Sequence, residues 1–227
     1  ISAKGFASFL LFSLSISFLR ADQVTSLADE GDGSLRRVIA DAAAGAEISF
    51  ASGGTIALAS PITIDKNLSI DGGNGVTISG GETTNIFKIT SGNVVIRNIT
   101  LRDGLAKGGD GARPGRFIEH SPGGGGAGMG GAIVIQSGDV VIESANFINN
   151  RAVGGNGGSS SPVGNTDYAG GGGSSIFGGG AGTTEWGRLD GRNGGFGGGG
   201  AGGLEYGRSG GRNGNGGRGG FGGGGGG

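Results

Sequence analysis

From Glu47 to Leu101 apolar residues recur at every second position in short runs: Ile48/Phe50, Ile56/Leu58, Ile62/Ile64, Leu68/Ile70, Val76/Ile78, Phe87/Ile89, Val94/Ile96 and Ile99/Leu101. A period of two, carried largely by β-branched residues, specifies strands and not helices. Gly-Gly, Asp-Gly, Asn-Gly and Ser-Gly pairs close the runs after a few residues. Strands so short do not make long antiparallel hairpins; they suit the flat faces of a parallel β-helix. Self-similarity supports this. Ser91-Gly-Asn-Val-Val-Ile96 returns as Ser137-Gly-Asp-Val-Val-Ile142, and Asn67-Leu-Ser-Ile70 is a looser earlier copy. Asn67, Asn93 and Asp139 are 26 and 46 residues apart, the second interval being close to two turns of about 20–29 residues. Each turn would send alternate Ile, Val and Leu side chains into a shared column, because one turn alone cannot bury its apolar face.

Two local features fit that coil. Ser34 to Ala44 reads as a short helix, with Leu35, Val38, Ile39 and Ala42 at helical spacing, Ser34 as its N-cap and Gly45 as its stop. Placed before the first strand, it would cover edges that otherwise invite pairing with other chains. Asn67, Asn98 and Asn149 fall where turns are needed. Their amides either bond along the stack or simply tolerate a left-handed backbone.

The N-terminal stretch 1–21 has the layout of a signal peptide: Lys4, an apolar run from Phe6 to Leu19, and a small residue at Ala21 that places cleavage between Ala21 and Asp22. A buried N-terminal helix or an uncleaved anchor is the alternative. Residues 22–46 then form the cap and 47–153 the coil, interrupted by a glycine-rich insertion at 104–131.

After Val153 the composition changes. Of 62 glycines, 37 lie in 154–227, and the chain has 4 Pro and no Cys. Collagen is excluded by the missing triplet period, and disulfides and thiolate metal sites by the missing cysteine. Within this segment Glu185-Trp186-Gly-Arg188 recurs as Glu205-Tyr206-Gly-Arg208, each followed by Gly-Arg-Asn-Gly. Polyglycine has the highest ordering entropy of any sequence, so the segment is expected to be mobile. The competing expectation is that glycine-rich strands bundle in extended form on the flank of the coil. Arg218-Gly-Gly-Phe221 has the look of a base-stacking tail. However, Glu185, Asp190 and Glu205 offset Arg188, Arg192 and Arg208, and the net charge is -1, so nucleic acid is not an expected partner.

The stretch Val24-Thr-Ser-Leu-Ala-Asp-Glu-Gly-Asp-Gly-Ser-Leu-Arg-Arg-Val-Ile-Ala-Asp-Ala42, followed by Ala46-Glu-Ile-Ser-Phe50, resembles the N-terminal cap of exported bacterial right-handed β-helix proteins. Further on, Gly130-Gly-Ala-Ile133 and Phe147-Ile-Asn-Asn150 are similar to the GGA[ILV] and FxxN tetrapeptides of the chlamydial polymorphic outer membrane proteins and their autotransporter-like relatives. The resemblance covers about Val24 to Ala152, with one copy of each tetrapeptide where that family has many. It implies an all-β, right-handed parallel β-helix, displayed at the cell surface or outer membrane or secreted, and used as a non-catalytic adhesin. The chain reads as the front fragment of a longer exported protein, and the membrane is reached in such proteins through a C-terminal anchor that the 227 residues do not include. The implied partner is a host or neighbouring-cell surface, with glycans foremost. Trp186 and Tyr206 are the aromatics on which a sugar ring could stack; their competing role is to pin the glycine segment by apolar contact.

Parallel β-helices also carry polysaccharide lyases and hydrolases, which need paired carboxylates or a carboxylate-bound cation beside a base. The available groups are Asp65, Asp71, Asp103, Arg97 and Arg102. Asp71-Gly72 and Asp103-Gly104 read more simply as turns, and His120 has no partner in the sequence. No catalytic residue, cofactor or metal ligand is therefore expected. A glycine-rich structural matrix protein is the third reading.

Overall fold

The computed structural model describes residues 22–112, 123–158, 173, 193–195, 197–201, 216–220 and 223–226. Its elements are β1 (Asp22–Val24), α1 (Leu35–Asp41), β2 (Ala46–Phe50), β3 (Gly54–Ala57), β4 (Ile62–Ile64), β5 (Leu68–Ser79), β6 (Phe87–Ile89), β7 (Asn93–Arg102), β8 (Leu105–Lys107), β9 (Ile133–Ile135), β10 (Asp139–Glu143), β11 (Asn146–Ile148) and β12 (Arg151–Val153). Strand pairing is parallel throughout. The largest sheet runs β1-β2-β5-β7-β10, with β3 on β5 and β11 on β7; β4-β6-β9 and β8-β12 make two smaller sheets. Among the described residues the protein is all-β apart from α1.

The chain visits the sheets in turn and returns to each one layer further on. Ile48 lies beside Ile70, Ile70 beside Ile96, and Ile96 beside Ile142. The 46-residue interval, which the spacing suggested to be two turns, is one layer: Asp139 lies directly beside Asn93. The extra residues leave the sheets after Lys107 and rejoin them at Ile133. Every alternating pair read from the sequence up to Leu101 is buried, with Ile48, Ile56, Ile64, Ile70, Ile78, Ile89, Ile96 and Leu101 fully so. Burying one such side chain stabilises by about 1.5–3 kcal/mol, and stacking makes each column continuous.

The runs Leu68/Ile70 and Val76/Ile78 belong to one long strand with an irregularity between Asp71 and Val76, and Val94/Ile96 and Ile99/Leu101 belong to another. Asn98, at φ 53, bends the second strand without ending its pairing. Close approach fixes the glycine opposite: a Cβ on Gly72 would sit 2.6 Å from the Asn98 carbonyl oxygen. Asn98 and Asn149 satisfy both expectations held for them. Each has a left-handed backbone, and each donates its amide across a layer, to Asp71 Oδ1 at 2.9 Å and Asp103 Oδ1 at 3.4 Å. Asn67 Oδ1 accepts from the Asn93 N–H at 2.8 Å.

Helix α1 covers the first layer with Leu35 and Ile39, capped by the buried Ser34, whose Oγ accepts from Arg37 N–H. It stops at Asp41, earlier than the expected stop at Gly45, where Lys66 Nζ gathers the carbonyls of Ile39, Ala40 and Ala42. A cation at a helix C-terminus satisfies carbonyls that have no partner within the helix. Arg36 fastens the other side, bonding Asp29 at 2.6 Å and the carbonyls of Ser60 and Pro61.

The described glycine-rich segments are hydrogen-bonded to one another. Gly126 donates to Gly109 and Gly123 to Ala112; Gly155 to Gly126 and Gly158 to Gly123; Gly124 to Gly200 and Ala127 to Gly197; Gly217 to Ala201 and Gly220 to Gly198. Within each pair the two bonds are three residues apart on both segments. That repeat belongs to an extended helix of three residues per turn, whose backbone groups all point outward, and not to a strand of period two. For these segments the expectation of a mobile polyglycine tail is corrected in favour of the extended bundle. The reason is steric: a Cβ on Gly125 would lie 2.0 Å from Gly155 O, and one on Gly199 2.0 Å from Gly124 O. Without side chains the backbones approach closely enough to bond, which offsets the ordering entropy.

Candidate functional site

The bundle is arranged around Gly123 to Ala127. This segment bonds to residues 109–112, 155–158, 173, 197–200 and 224, all drawn from two excursions that are remote in sequence. Ala112 and Gly123 are bonded to each other, Gly158 to Gly123, Gly124 to Gly200, and Ala201 to Gly217. The chain ends that flank 113–122, 159–172 and 202–215 therefore share one end of the bundle. Asn193 accepts from Arg218 N–H through Oδ1, and Gly194 donates to Arg218 O; because Arg218 follows Gly217, the partner of Ala201, the chain end that follows 174–192 lies toward this same end.

The proposed sugar-stacking residues Trp186 and Tyr206, together with His120 and the cleavage residue Ala21, lie outside the described residues. Asp22 begins β1, where it pairs in register with Ile48. The carboxylates weighed for catalysis have structural partners. Arg97 bridges two layers, with Nη2 2.5 Å from Glu47 and Nε 2.8 Å from Asp71. Asp71 also accepts from Asn98 Nδ2 and Gly73 N–H. The Asn98 hydrogen bond first, and then that from Arg97, hold the Asp71 carboxyl below its ordinary value of 3.8. Asp103 has a left-handed backbone at φ 52 and accepts from Arg102 and Asn149. These contacts fit the turn reading and tie adjacent layers. A shallow hollow beside the cap is lined by Asp22, Gln23, Thr25, Asp32, Arg37 and Asp41, with Arg37 paired to Asp41 at 2.6 Å. Among the described residues no three His, Cys, Asp or Glu side chains group as metal ligands, and no helix is long and apolar enough to cross a membrane.

The two tetrapeptides singled out in the sequence have defined mechanical roles. Gly130 has φ 65, and a Cβ there would strike Ile133 O; Ala132 O accepts from both Ile86 and Phe87 N–H, and Ile133 stacks on Phe87. In the second, Phe147 stacks on Leu101, Asn149 makes the corner, and Asn150 clasps Gly104 N–H with Oδ1 at 2.8 Å and Leu101 O with Nδ2 at 2.9 Å. The sequence reading missed Asn85, which is buried and donates to the carbonyls of Met129 and Gly130 where the first excursion rejoins the sheets. It also missed the central place of Gly123–Ala127; the run of four glycines just ahead of Gly-Gly-Ala-Ile was the available signal.

No protein-family model matches the chain, and no curated protein is significantly similar to it.

Proposed function

We propose that the protein is a right-handed parallel β-helix, exported with cleavage between Ala21 and Asp22, that carries a glycine bundle as a rigid arm for non-catalytic attachment at a cell surface. Cleavage there would start the mature chain at β1. The observation that carries this reading is the shared end of the bundle. Segments 113–122, 159–172 and 202–215 attach to it together, and they hold Arg116, Phe117, His120, Tyr168, Tyr206 and Arg208. Aromatic and basic residues carried on segments whose described chain ends meet would suit avidity for a repetitive polymer such as a glycan.

The test is a glycan array read with the parent, Tyr206→Ala and Trp186→Ala. If the two aromatics stack on sugar rings, Tyr206→Ala and Trp186→Ala should each weaken binding without loss of the fold, whereas binding unchanged in both leaves them as packing residues. Binding by none of the three proteins sinks the adhesin reading and leaves the structural matrix reading, which the glycine-rich bundle also favours. Steady release of products from pectic or other acidic polysaccharides would overturn both.

A further inference from the structure

Asn156-Gly157 and Asn193-Gly194 lie in the described part of the bundle. In such a dipeptide no side chain on the second residue shields its backbone nitrogen, which can therefore attack the asparagine side chain. The bundle treats the two pairs differently. A segment with three residues per turn points its backbone groups in three directions. Along 155–158 the first direction is used by Gly155 and Gly158, whose N–H groups donate to Gly126 and Gly123. The second is used by Asn156, whose N–H donates to Asp110 Oδ1 at 2.7 Å and whose carbonyl accepts from Gly111. The third falls to Gly157, which is exposed and whose N–H has no acceptor among the described residues. A Cβ on Gly157 would meet nothing nearer than Gly123 O at 4.0 Å. At the other pair, Gly194 N–H donates to Arg218 O, and a Cβ there would lie 2.2 Å from Gly198 O.

We infer that Asn156 is a self-modification site, where spontaneous deamidation loosens this segment of the bundle as the protein ages. Solvent base removes the Gly157 amide proton, and the nitrogen bonds to Asn156 Cγ. The side-chain nitrogen leaves as ammonia, which closes a succinimide ring. Water then opens the ring at either carbonyl and leaves aspartate or isoaspartate. One water enters and one ammonia departs, with no oxidation or reduction. Either product sets a carboxylate close to Asp110, which accepts from the N–H of the same residue, and like charges at short range repel. Isoaspartate also routes the main chain through the former side chain, adding a carbon between Gly155 and Gly158. The bonds from these two glycines to Gly126 and Gly123 then lose their three-residue spacing. At Asn193 the same attack must first break the bond from Gly194 to Arg218 O and displace the Gly198 backbone.

The full chain is incubated at mildly alkaline pH, and both sites are followed by peptide mass spectrometry as amide gives way to acid. Asn156 should convert about tenfold faster than Asn193, the difference made by opening one packed hydrogen bond. In urea the two rates should become equal, because both sites are then Asn-Gly in an open chain. Gly157→Ala, which has room for its methyl group, should keep the fold and slow conversion at Asn156 alone. Hydrogen exchange at the Gly155 and Gly158 amides should speed up as the converted fraction grows, and stay constant in Gly157→Ala incubated alongside. Persistence of Asn156, conversion of Asn193 at the same rate in the folded chain, or a difference that survives urea overturns the assignment. Conversion at Asn156 that leaves Gly155 and Gly158 protected overturns the loosening.

Discussion

The layers of the coil and the glycine bundle are built from one chain by opposite means. In the coil, strands of period two point Ile, Val, Leu and Phe into columns, and the backbone bonds only sideways to the next layer. In the bundle, segments of period three bond to neighbours all round, and among the described residues backbone fills the interior except for the buried methyl of Ala201. One core rests on apolar burial and the other on backbone hydrogen bonds that the missing Cβ makes geometrically attainable. Side-chain packing tolerates exchange of one apolar group for another of similar volume. A backbone core rejects a side chain wherever two backbones touch, as at Gly125 and Gly199, although it asks for no particular sequence beyond small residues.

The strongest way to break the comparison is to damage the column core and ask whether the bundle survives. Ile96 is fully buried between Ile70 and Ile142, so Ile96→Asp places an unpaired charge there at a cost of about 3–5 kcal/mol. The central bundle segment is tied to the coil on both sides, through Gly108 to Val153 and through β9. Urea titration should therefore show both regions lost together, with a lower midpoint than the parent. Glycine amides that stay protected from hydrogen exchange after the coil has melted would mean that the bundle folds independently.

The converse damage should be smaller and local. Gly125→Ala would put a Cβ 2.0 Å from Gly155 O, whereas at Gly154 the nearest atom is 3.7 Å away. Gly125→Ala should strip exchange protection from the bundle at a cost of about 1–3 kcal/mol, leaving the β-sheet circular dichroism unchanged. Gly154→Ala should be near neutral. Equal behaviour of the two variants would show that the bundle is not close-packed.

These differences explain what was legible in the sequence. The columns could be read because alternation is a side-chain signal, and Ser34, Leu35 and Ile39 announced α1 in the same way. The layer spacing was misread at Asp139 because an excursion of glycines consumes residues without advancing the stack. Asn98, which bends β7 while leaving it paired, made one strand look like two. The bundle was only half legible: entropy argued for mobility, and the opposing term depends on which glycine runs meet, a relation between Gly124, Gly200 and Gly224 that no local pattern carries. For the proposed site, the repeat of Trp186 and Tyr206 could be seen, but not that the chain ends Asn193 and Gly217, which follow their segments, come together at one end of the bundle.

The smallest expected effect separates the regions by charge. The central bundle segment Gly123–Ala127 has no ionisable side chain, while the coil has Asp71 accepting from Asn98, Arg97 and Gly73. These bonds favour the carboxylate and depress its pKa below 3.8. A carboxyl group whose pKa is lower in the folded state contributes stability that is fully present above its unfolded value and is lost as pH falls through the folded one. The Asp71 contribution should thus persist at neutral pH and fade only below 3.8. In Asp71→Asn that contribution is absent at every pH, so the variant should be less stable than the parent at pH 6, by under about 1 kcal/mol given the partial exposure, and the two should converge in acid. Urea midpoints measured at pH 6 and in steps below pH 4 would show the convergence. Parallel curves would mean that Asp71 bonds no more strongly folded than unfolded, and that the ladder through Arg97 does not fasten the layers.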